Sequence, residues 1–174
     1  MTKLRVLITK DDIDKRVGEL AAEIRRDYAD KNPVLIGALK GSFVFMSDLI
    51  RKVNIPLEIE FVRSSSYGAG TASSGKIELV QGVKTLIRDR HVLVVEDIVD
   101  TGLTISFLLS HIRRRKPASV KLCALLDKPS RRVVDFPIDY LGFTIPNEFV
   151  VGYGLDFNQD FRYLPDICTM EDRE

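Results

Sequence analysis

The chain has 174 residues and a mass of 19.7 kDa, of which 45% are hydrophobic and 29% are charged. This balance is typical of a globular protein with a buried core and excludes a disordered or fibrous chain. The net charge of +1 argues against a nucleic-acid-binding surface, and no apolar run approaches the ~18 residues that a membrane span requires.

The first part of the chain predicts strands alternating with helices. Leu4–Ile8 is typical of a strand, and we expect the carboxylates of Asp11 and Asp12 to cap the helix that follows it. Val34–Leu39 is typical of a buried strand, and a tight turn at residues 40–42 leads into a second helix. The apolar positions that keep the helical period in these two helices are Ile13, Val17, Leu20, Ala21, Ile24, Phe43, Met46, Leu49, Ile50 and Val53.

A segment rich in serine and glycine interrupts this alternation. Ser64–Gly75 holds five serines, three glycines and no charge, which is the composition of a flexible loop. It lies between a half-exposed strand at Leu57–Val62 and a strand candidate at Lys76–Val80. Long loops inside compact domains are commonly active-site lids, so we expect a lid here, with a disordered decoration as the alternative.

The second half predicts the same layering and then shorter elements. His91–Val95 and Val120–Leu126 are typical of buried strands on either side of a helix, so we expect an α/β fold with an open, largely parallel, twisted sheet flanked by helices. Asp139–Phe143 and Phe149–Val151 are short strand candidates, and the polar residues from Leu164 onward predict a loosely attached tail. The expected core positions of the helix are Ile105, Leu108, Leu109 and Ile112.

The cysteines and the amino end indicate a compartment. Cys123 and Cys168 have no CxxC spacing and lie among apolar or mixed residues, so we predict two buried, unpaired thiols in a reducing environment. The first residues resemble a short strand and not a secretion signal. A cytosolic location is therefore expected.

The chemistry concentrates after the strand at His91–Val95. We expect Glu96 and Asp97 at the carboxyl end of that strand, where open α/β sheets bind ligands. The loop Asp100–Thr104 then enters a helix, whose free N–H groups, with the hydroxyls of Thr101 and Thr104, suit a phosphate. Acidic groups repel a phosphate beside them unless they bind something else. Their presence here therefore indicates bound sugar hydroxyls or a magnesium ion. The implied ligand is a phosphorylated sugar with a metal.

Simpler interpretations exist for this loop. In one of them, Asp100 and Thr101 do no more than cap the helix, and Glu96 and Asp97 are solvated. That interpretation does not account for three carboxylates around one strand end. The sequence lacks both the GxxxxGK[ST] and the GxGxxG phosphate motifs.

The run VVEDIVDTGLT resembles the motif of type I phosphoribosyltransferases, which use 5-phosphoribosyl 1-pyrophosphate. Further matches are to the hypoxanthine (hypoxanthine-guanine) branch of that family, at Leu39-Lys40-Gly41, Ser66-Tyr67-Gly68, Lys128, residues 149–156 and Arg162. The resemblance implies a purine salvage enzyme that makes IMP and GMP with release of pyrophosphate. It also implies one domain over residues 1–174, with a core at about 10–128, a lid at 64–75 and a hood built from the first strand and about 129–174.

The resemblance also implies roles for individual residues. Glu96 and Asp97 would bind the ribose hydroxyls, and Asp100 would be the general base for the purine N7 proton. The 5-phosphate would lie on a loop that comprises Asp100, Thr101, Gly102, Leu103 and Thr104. Some family members carry lysine at the position of Leu103, so phosphate binding here would depend on backbone donors and hydroxyls.

The resemblance also implies residues for pyrophosphate and for metal. The resemblance assigns pyrophosphate to Lys40, Gly41 and Arg162, and implies that the Leu39–Lys40 peptide can be cis. Magnesium is the implied cofactor: Glu96 and Asp97 would lie near one ion, and Asp156 would bind a second through water, since magnesium keeps several waters and needs few carboxylates. The lid residues are Ser66 and Tyr67.

Recognition of the purine would depend on three residues. As a hydrogen-bond donor, Lys128 favours a 6-oxo group over a 6-amino group, so adenine is expected to be rejected. Phe149 would stack on the ring, and the backbone of Val150 would contact its Watson–Crick edge. The residues do not rank hypoxanthine, guanine and xanthine, so a related transferase that prefers xanthine remains an alternative within the enzyme class.

Two functions of other classes remain as alternatives. The first is a non-catalytic regulator on the same fold that senses the sugar pyrophosphate and binds nucleic acid. It would need a basic face, but the basic runs at residues 113–116 and 131–132 are short. The second is a phospho-acceptor signalling domain, which leaves the Ser64–Gly75 loop and the loop at residues 100–104 unexplained. The enzyme interpretation implies small-molecule partners, without nucleic acid or membrane, and a homodimer or homotetramer.

Overall fold

The computed structural model describes residues 3–66 and 77–171. Its elements follow the predicted alternation of strands and helices, with a 3₁₀ turn at Pro129–Arg131. The strands are β1 (Lys3–Ile8), β2 (Val34–Leu39), β3 (Glu58–Ser66), β4 (Ile77–Gln81), β5 (His91–Val99), β6 (Ser119–Asp127), β7 (Tyr140–Thr144), β8 (Val150–Val151) and β9 (Ile167–Glu171). The helices are α1 (Lys10–Tyr28), α2 (Phe43–Val53) and α3 (Leu103–Arg113).

Six strands form a large sheet in the order β4-β3-β2-β5-β6-β7. All neighbours in it are parallel except β3 and β4, which pair antiparallel. The predicted fold class is therefore confirmed. Because β2, β3, β5 and β6 run in one direction, their carboxyl ends meet at one edge of the sheet.

Apolar packing on both faces holds the large sheet in place. Successive residues of the central strands alternate between two clusters, as with Leu93 and Val94 of β5. The first cluster includes the buried faces of α1 and α2, and the second includes that of α3. In α2 the buried phenylalanine is Phe45, whereas Phe43 is exposed, so the predicted face was slightly misplaced.

Two local predictions were wrong. Thr9, not Asp11 or Asp12, caps α1, because its Oγ1 accepts a hydrogen bond of 3.2 Å from the backbone N–H of Asp12. The start of the expected loop at Ser64–Gly75 belongs to β3, which continues to Ser66 by pairing with β4. The remainder of that loop, with Tyr67, lies outside the described residues.

A second sheet corrects the expectation of a loose tail. Its strand order is β1-β9-β8, so β9 lies between two partners and buries Ile167 and Thr169. The loose tail was expected from a polar composition, but antiparallel pairing on both sides satisfies the backbone of this strand. The expected hood thus contains β1, β8 and β9, whereas β7, which falls within 129–174, joins the large sheet instead.

Two further observations bear on the sequence predictions. Cys123 and Cys168 are buried and unpaired, as predicted. Within the described ranges, no helix combines the length and the apolar character that crossing a membrane requires.

Candidate active site

Two cavities flank the end of β5. The first, of about 430 Å³, is named here the Lys128 cavity, and the second, of about 200 Å³, the Thr101 cavity. Ile98 and Asp100 line both of them, so the two cavities meet at the Asp100 carboxylate. The predicted site residues in the Lys128 cavity are Lys40, Gly41, Asp97, Asp100, Lys128, Phe149, Val150, Asp156 and Arg162. Those in the Thr101 cavity are Glu96, Asp100, Thr101, Gly102 and Thr104.

Glu96 and Asp97 lie within β5, not beyond its end as expected, because the strand continues to Val99. Successive residues of a strand point to opposite faces, and Glu96 accordingly lines the Thr101 cavity while Asp97 lines the Lys128 cavity. Burial raises the pKa of Glu96 well above its ordinary value, and the neighbouring Asp97 charge adds to this. Burial also raises the pKa of Asp97. This acid pair is therefore suited to a hydroxyl donor or a cation.

The turn after β2 lies against the Asp97 carboxylate. A Cβ added at Gly41 would overlap the carboxylate of Asp97, so only glycine permits this close approach. The Leu39–Lys40 peptide is cis, as the resemblance implied. The Lys40 ammonium donates to Oε1 of Gln159 at 2.9 Å, which joins this turn to the loop after β8.

The Thr101 cavity lies at the beginning of α3. Gly102 precedes the helix with a φ of 84°, in the left-handed region that favours glycine, and no side chain caps the helix there. The N–H of Leu103 donates to Oγ1 of Thr101 at 3.4 Å, and the next N–H groups of the first turn, which have no partner among the described residues, give this cavity the character of an anion site. Thr101 and Thr104 line it, as predicted, but the half-exposed Leu103 side chain lines neither cavity. Leu103 could contribute only through its backbone.

Lys128 is the most distinctive group of the first cavity. It follows β6, its backbone N–H donates to the carbonyl of Val99 at 2.9 Å, and the residue is only 7% exposed. No hydrogen bond or ion pair of its ammonium is found within residues 3–66 and 77–171. The ammonium is not among the fully buried atoms that lack a partner, so it reaches the space of the cavity and is available to a ligand acceptor there.

An aromatic ring and a short strand form the wall opposite. Phe149 is 52% exposed and contacts Phe157 edge-to-face, with ring centroids 5.6 Å apart. The adjacent Val150 is buried in β8 and pairs with Thr169 of β9. The exposed face of Phe149 can stack on a planar ring.

Arg162 and Asp156 form an ion pair at the other end of the Lys128 cavity. The guanidinium lies 2.7 Å from Oδ1 of Asp156 and donates to the carbonyl of Gly154 at 2.7 Å. The other carboxylate oxygen of Asp156 accepts a 2.8 Å bond from the backbone N–H of Gln159. The arginine is thereby held with part of its donor fork still available for an anion.

The three carboxylates that the resemblance assigned to magnesium are divided between the two cavities. Asp97 and Asp156 line the Lys128 cavity, whereas Glu96 lines the Thr101 cavity. Within the described part of the chain, no three acidic, histidine or cysteine side chains form a metal-binding group. Two carboxylates with waters and ligand phosphates still fit magnesium, which prefers oxygen donors and needs few from the protein.

Sequence reasoning missed two polar residues of the Lys128 cavity, Arg63 and Gln159. Arg63 lies near the carboxyl end of β3, in register with Leu39 of β2. The strand-end argument used for Glu96 and Asp97 could have found it. Gln159 lies in a loop with a positive φ of 69°, and no pattern in the sequence indicates its role. For Ser66, the structure gives only its place in β3.

Known proteins resemble this chain over nearly its whole length. Residues 9–158 match the phosphoribosyl transferase domain. A hypoxanthine-guanine phosphoribosyltransferase of Streptococcus pneumoniae is 49% identical over 97% of this chain and 93% of its own. A hypoxanthine-guanine-xanthine phosphoribosyltransferase of Tritrichomonas foetus is 47% identical over 97% and 92%.

A solved structure agrees as well. The crystal structure of a hypoxanthine phosphoribosyltransferase from Staphylococcus aureus superposes with a TM-score of 0.92 and 42% identity, covering 96% of this chain and 91% of that one. The match of both sequence and structure over nearly the whole chain leads to one assignment. This chain belongs to the phosphoribosyl transferase domain family.

Proposed function

We propose that this protein transfers the 5-phosphoribosyl group from 5-phosphoribosyl 1-pyrophosphate to hypoxanthine and guanine, which yields IMP or GMP and pyrophosphate. One observation carries the proposal. A cavity with the character of an anion site meets, at Asp100, a second cavity lined by Lys128, whose ammonium has no partner among the described residues. The first suits a sugar phosphate, and the second suits a planar base with a carbonyl acceptor.

The sugar would lie across the end of β5. The 5-phosphate would occupy the Thr101 cavity, on the first N–H groups of α3 and the hydroxyls of Thr101 and Thr104. Glu96 and Asp97, on opposite faces of the strand, would accept hydrogen bonds from the ribose hydroxyls. Substrate hydroxyls would thus relieve the crowding of this acid pair.

Pyrophosphate would leave toward the turn after β2 and the loop after β8. Lys40, Gly41 and Arg162 line that part of the Lys128 cavity. A guanidinium already oriented by Asp156 and Gly154 matches phosphate oxygens in geometry and charge. Magnesium held by Asp97 and Asp156 would neutralise the developing charge on pyrophosphate. Activity should therefore disappear with a chelator and return with added magnesium.

The base would be held between Phe149 and the end of β6. The Lys128 ammonium would donate to the 6-oxo group, and Phe149 would stack on the ring. When the purine N9 attacks C1 of the ribose and the bond to pyrophosphate breaks, Asp100 would take the proton from N7. Adenine presents a donor at the 6 position, so Lys128 would face it unfavourably.

The test is turnover of the purified protein with magnesium, 5-phosphoribosyl 1-pyrophosphate and one base at a time. Hypoxanthine, guanine, xanthine, adenine and uracil are offered separately. We expect nucleotide from hypoxanthine and guanine and none from adenine or uracil. Absence of product from every base, with intact binding of the sugar pyrophosphate, would refute the proposal. The xanthine reaction tests the wider substrate range named for the relative from Tritrichomonas foetus.

Assembly into a homodimer or homotetramer is part of the same proposal. An apolar cavity between α1, α2 and residues 163–165 is lined by the exposed rings of Phe43 and Tyr163. Exposed aromatic rings that share one concave surface are typical of subunit contacts. Light scattering coupled to gel filtration would measure the mass, and a mass of 19.7 kDa at every concentration would contradict assembly.

A further inference from the structure

Asp100 has an ionic partner that the proposed reaction does not use. Nε of Arg131 donates to Oδ1 of Asp100 at 3.0 Å. Among the described residues, no other side-chain or backbone group is hydrogen-bonded to that carboxylate. One carboxylate oxygen is therefore fixed by a guanidinium, and Oδ2 has no hydrogen-bond partner within residues 3–66 and 77–171.

The backbone around Arg131 is anchored on both sides of Asp100. Lys128 N–H donates to the carbonyl of Val99 at 2.9 Å, and Val133 N–H donates to the carbonyl of Thr101 at 3.0 Å. Arg131 N–H closes the turn by donating to the carbonyl of Lys128 at 3.0 Å. The guanidinium is thus presented to Asp100 from a segment that is tied to both of its chain neighbours.

The next residue explains why this segment keeps its shape. Arg132 forms an ion pair of 3.0 Å with the buried Asp127, and its guanidinium lies over the ring of Phe136 at 4.7 Å from the centroid. A Cβ on Gly102 would lie 2.7 Å from that same ring, so Phe136 packs directly on the loop after Asp100. The two adjacent arginines thus have different roles: Arg132 stabilises this segment, and Arg131 contacts Asp100.

The position of Arg131 separates it from the substrate. Asp100 lines both cavities, whereas Arg131 is absent from the described residues that line either one. Both side chains are nearly half exposed, at 47% and 42%, and ion pairs of that kind add little to stability. The effect of this pair is therefore expected on the orientation of the Asp100 carboxylate.

We propose that Arg131 is a positioning residue, which holds Oδ1 of Asp100 so that Oδ2 points at the N7 proton of the bound purine. The inference rests on the proposed function, because it assigns a helper to the proposed general base. A carboxylate that is free to rotate would spend less time in the productive orientation, and a misplacement of about 1 Å can cost on the order of 100-fold in rate.

The test compares three variants with the wild-type protein. Arg131→Met removes the donor, Arg131→Lys keeps a cation without the planar fork, and Arg114→Met removes an exposed arginine at the end of α3 as a matched control. We expect Arg131→Met to lower kcat for hypoxanthine by about 10- to 100-fold, with KM for the sugar pyrophosphate changed less than about twofold. Arg131→Lys should recover part of kcat, and Arg114→Met should match wild type.

A double variant separates positioning from a general structural role. If Arg131 acts through Asp100, Arg131→Met should have little further effect on kcat in an Asp100→Asn background. Equal loss of kcat in both backgrounds, or wild-type kcat in Arg131→Met, would overturn the inference. Wild-type turnover is measured first: if it is present, only the role of Arg131 is at stake, and if it is absent, the proposed function and this inference both fail. Thermal unfolding of each variant identifies a loss of kcat that comes from misfolding.

Discussion

Carboxylates have different surroundings at two edges of the large sheet: the edge where its strands begin and the edge where they end. Where β5, β6 and β7 begin, Asp27 accepts a 2.6 Å hydrogen bond from the hydroxyl of Tyr140 and lies 3.5 Å from the ammonium of Lys121. Where β5 ends, Glu96 and Asp97 are adjacent and partly buried, and the charge of Asp97 acts on Glu96. The pKa of Asp27 is lowered, chiefly by the Tyr140 hydrogen bond, whereas burial raises the pKa values of Glu96 and Asp97.

This contrast separates charges that other groups of the protein satisfy from charges that are available to a ligand. At the first edge, aromatic rings and a lysine satisfy the charge, with Tyr28 and Tyr140 in contact at 6.5 Å between centroids. At the second edge, acids and the buried Lys128 have few protein partners. The first edge is therefore expected to contribute stability, and the second to contribute binding and catalysis at some cost in stability.

Asp100→Asn should show the largest effect and tests the edge where β5 ends. We expect kcat for hypoxanthine to fall by about 10²- to 10⁴-fold, because the amide cannot accept the N7 proton as a carboxylate does. Binding of 5-phosphoribosyl 1-pyrophosphate, measured by calorimetry, should change little. The matched control is Asp27→Asn, which removes a carboxylate at the other edge and should leave kcat unchanged. Unchanged turnover in Asp100→Asn would exclude Asp100 as the base.

Lys128→Met should have the second-largest effect, and it tests the ammonium that has no partner among the described residues. Loss of one charge-assisted hydrogen bond of about 1.5–3 kcal/mol should lower kcat/KM for hypoxanthine by about 10- to 150-fold. Discrimination against adenine should fall as well, since no donor would then oppose the 6-amino group. Steady-state kinetics with both bases measure the ratio. If selectivity stays at the wild-type level, the backbone alone recognises the base.

Glu96→Gln should make the protein more stable although it disturbs the site. Burial raises the pKa of Glu96, so the folded protein holds this proton to a higher pH than the unfolded chain does, and wild-type stability declines as pH rises above the ordinary value of 4.5. The variant should therefore gain about 1–3 kcal/mol at pH 7 to 8 and almost nothing near pH 4. Thermal unfolding across this pH range measures it, at about 2–4 °C per kcal/mol. A stability gain that is the same at every pH would contradict the assignment to this carboxyl.

Tyr140→Phe should have the smallest effect and the opposite pH dependence. Because the Tyr140 hydrogen bond lowers the pKa of Asp27, the stability that Asp27 contributes is present above its ordinary value of 3.8 and is lost as pH falls through the lower folded value. The variant should lose about 1 kcal/mol at pH 7 and approach wild type in strong acid. The control is Tyr163→Phe, whose ring is 77% exposed and should be neutral. Equal destabilisation at all pH values would indicate lost packing instead of a lost charge interaction.

The site could be predicted from sequence alone where its residues are contiguous in the chain. Residues 94–104 form a strand, a turn and a helix start in unbroken order, so local spacing alone predicted a phosphate site there. Lys128, Phe149 and Arg162 needed the resemblance, because nothing local distinguishes a ligand-binding lysine or phenylalanine from an ordinary one.

The remaining features depend on contacts between distant residues. Arg131 reaches Asp100 across 31 positions, and Lys40 reaches Gln159 across 119, which no local pattern records. The strand at Ile167–Glu171 was mistaken for a loose tail for the same reason, since its partners are β1 and β8. Thr9 was missed as the cap because two stronger-looking carboxylates follow it directly.

The pairing of β1 with β9 limits the order in which the two sheets can form during synthesis. Lys3 lies opposite Glu171, so β1 leaves the ribosome well before β9, and its edge is covered only when β9 has emerged. Val150, which borders the Lys128 cavity, also gains its partner Thr169 only then. The large sheet can assemble while the chain is still being made, but the wall of the cavity that contains Val150 is completed only when β9 has emerged.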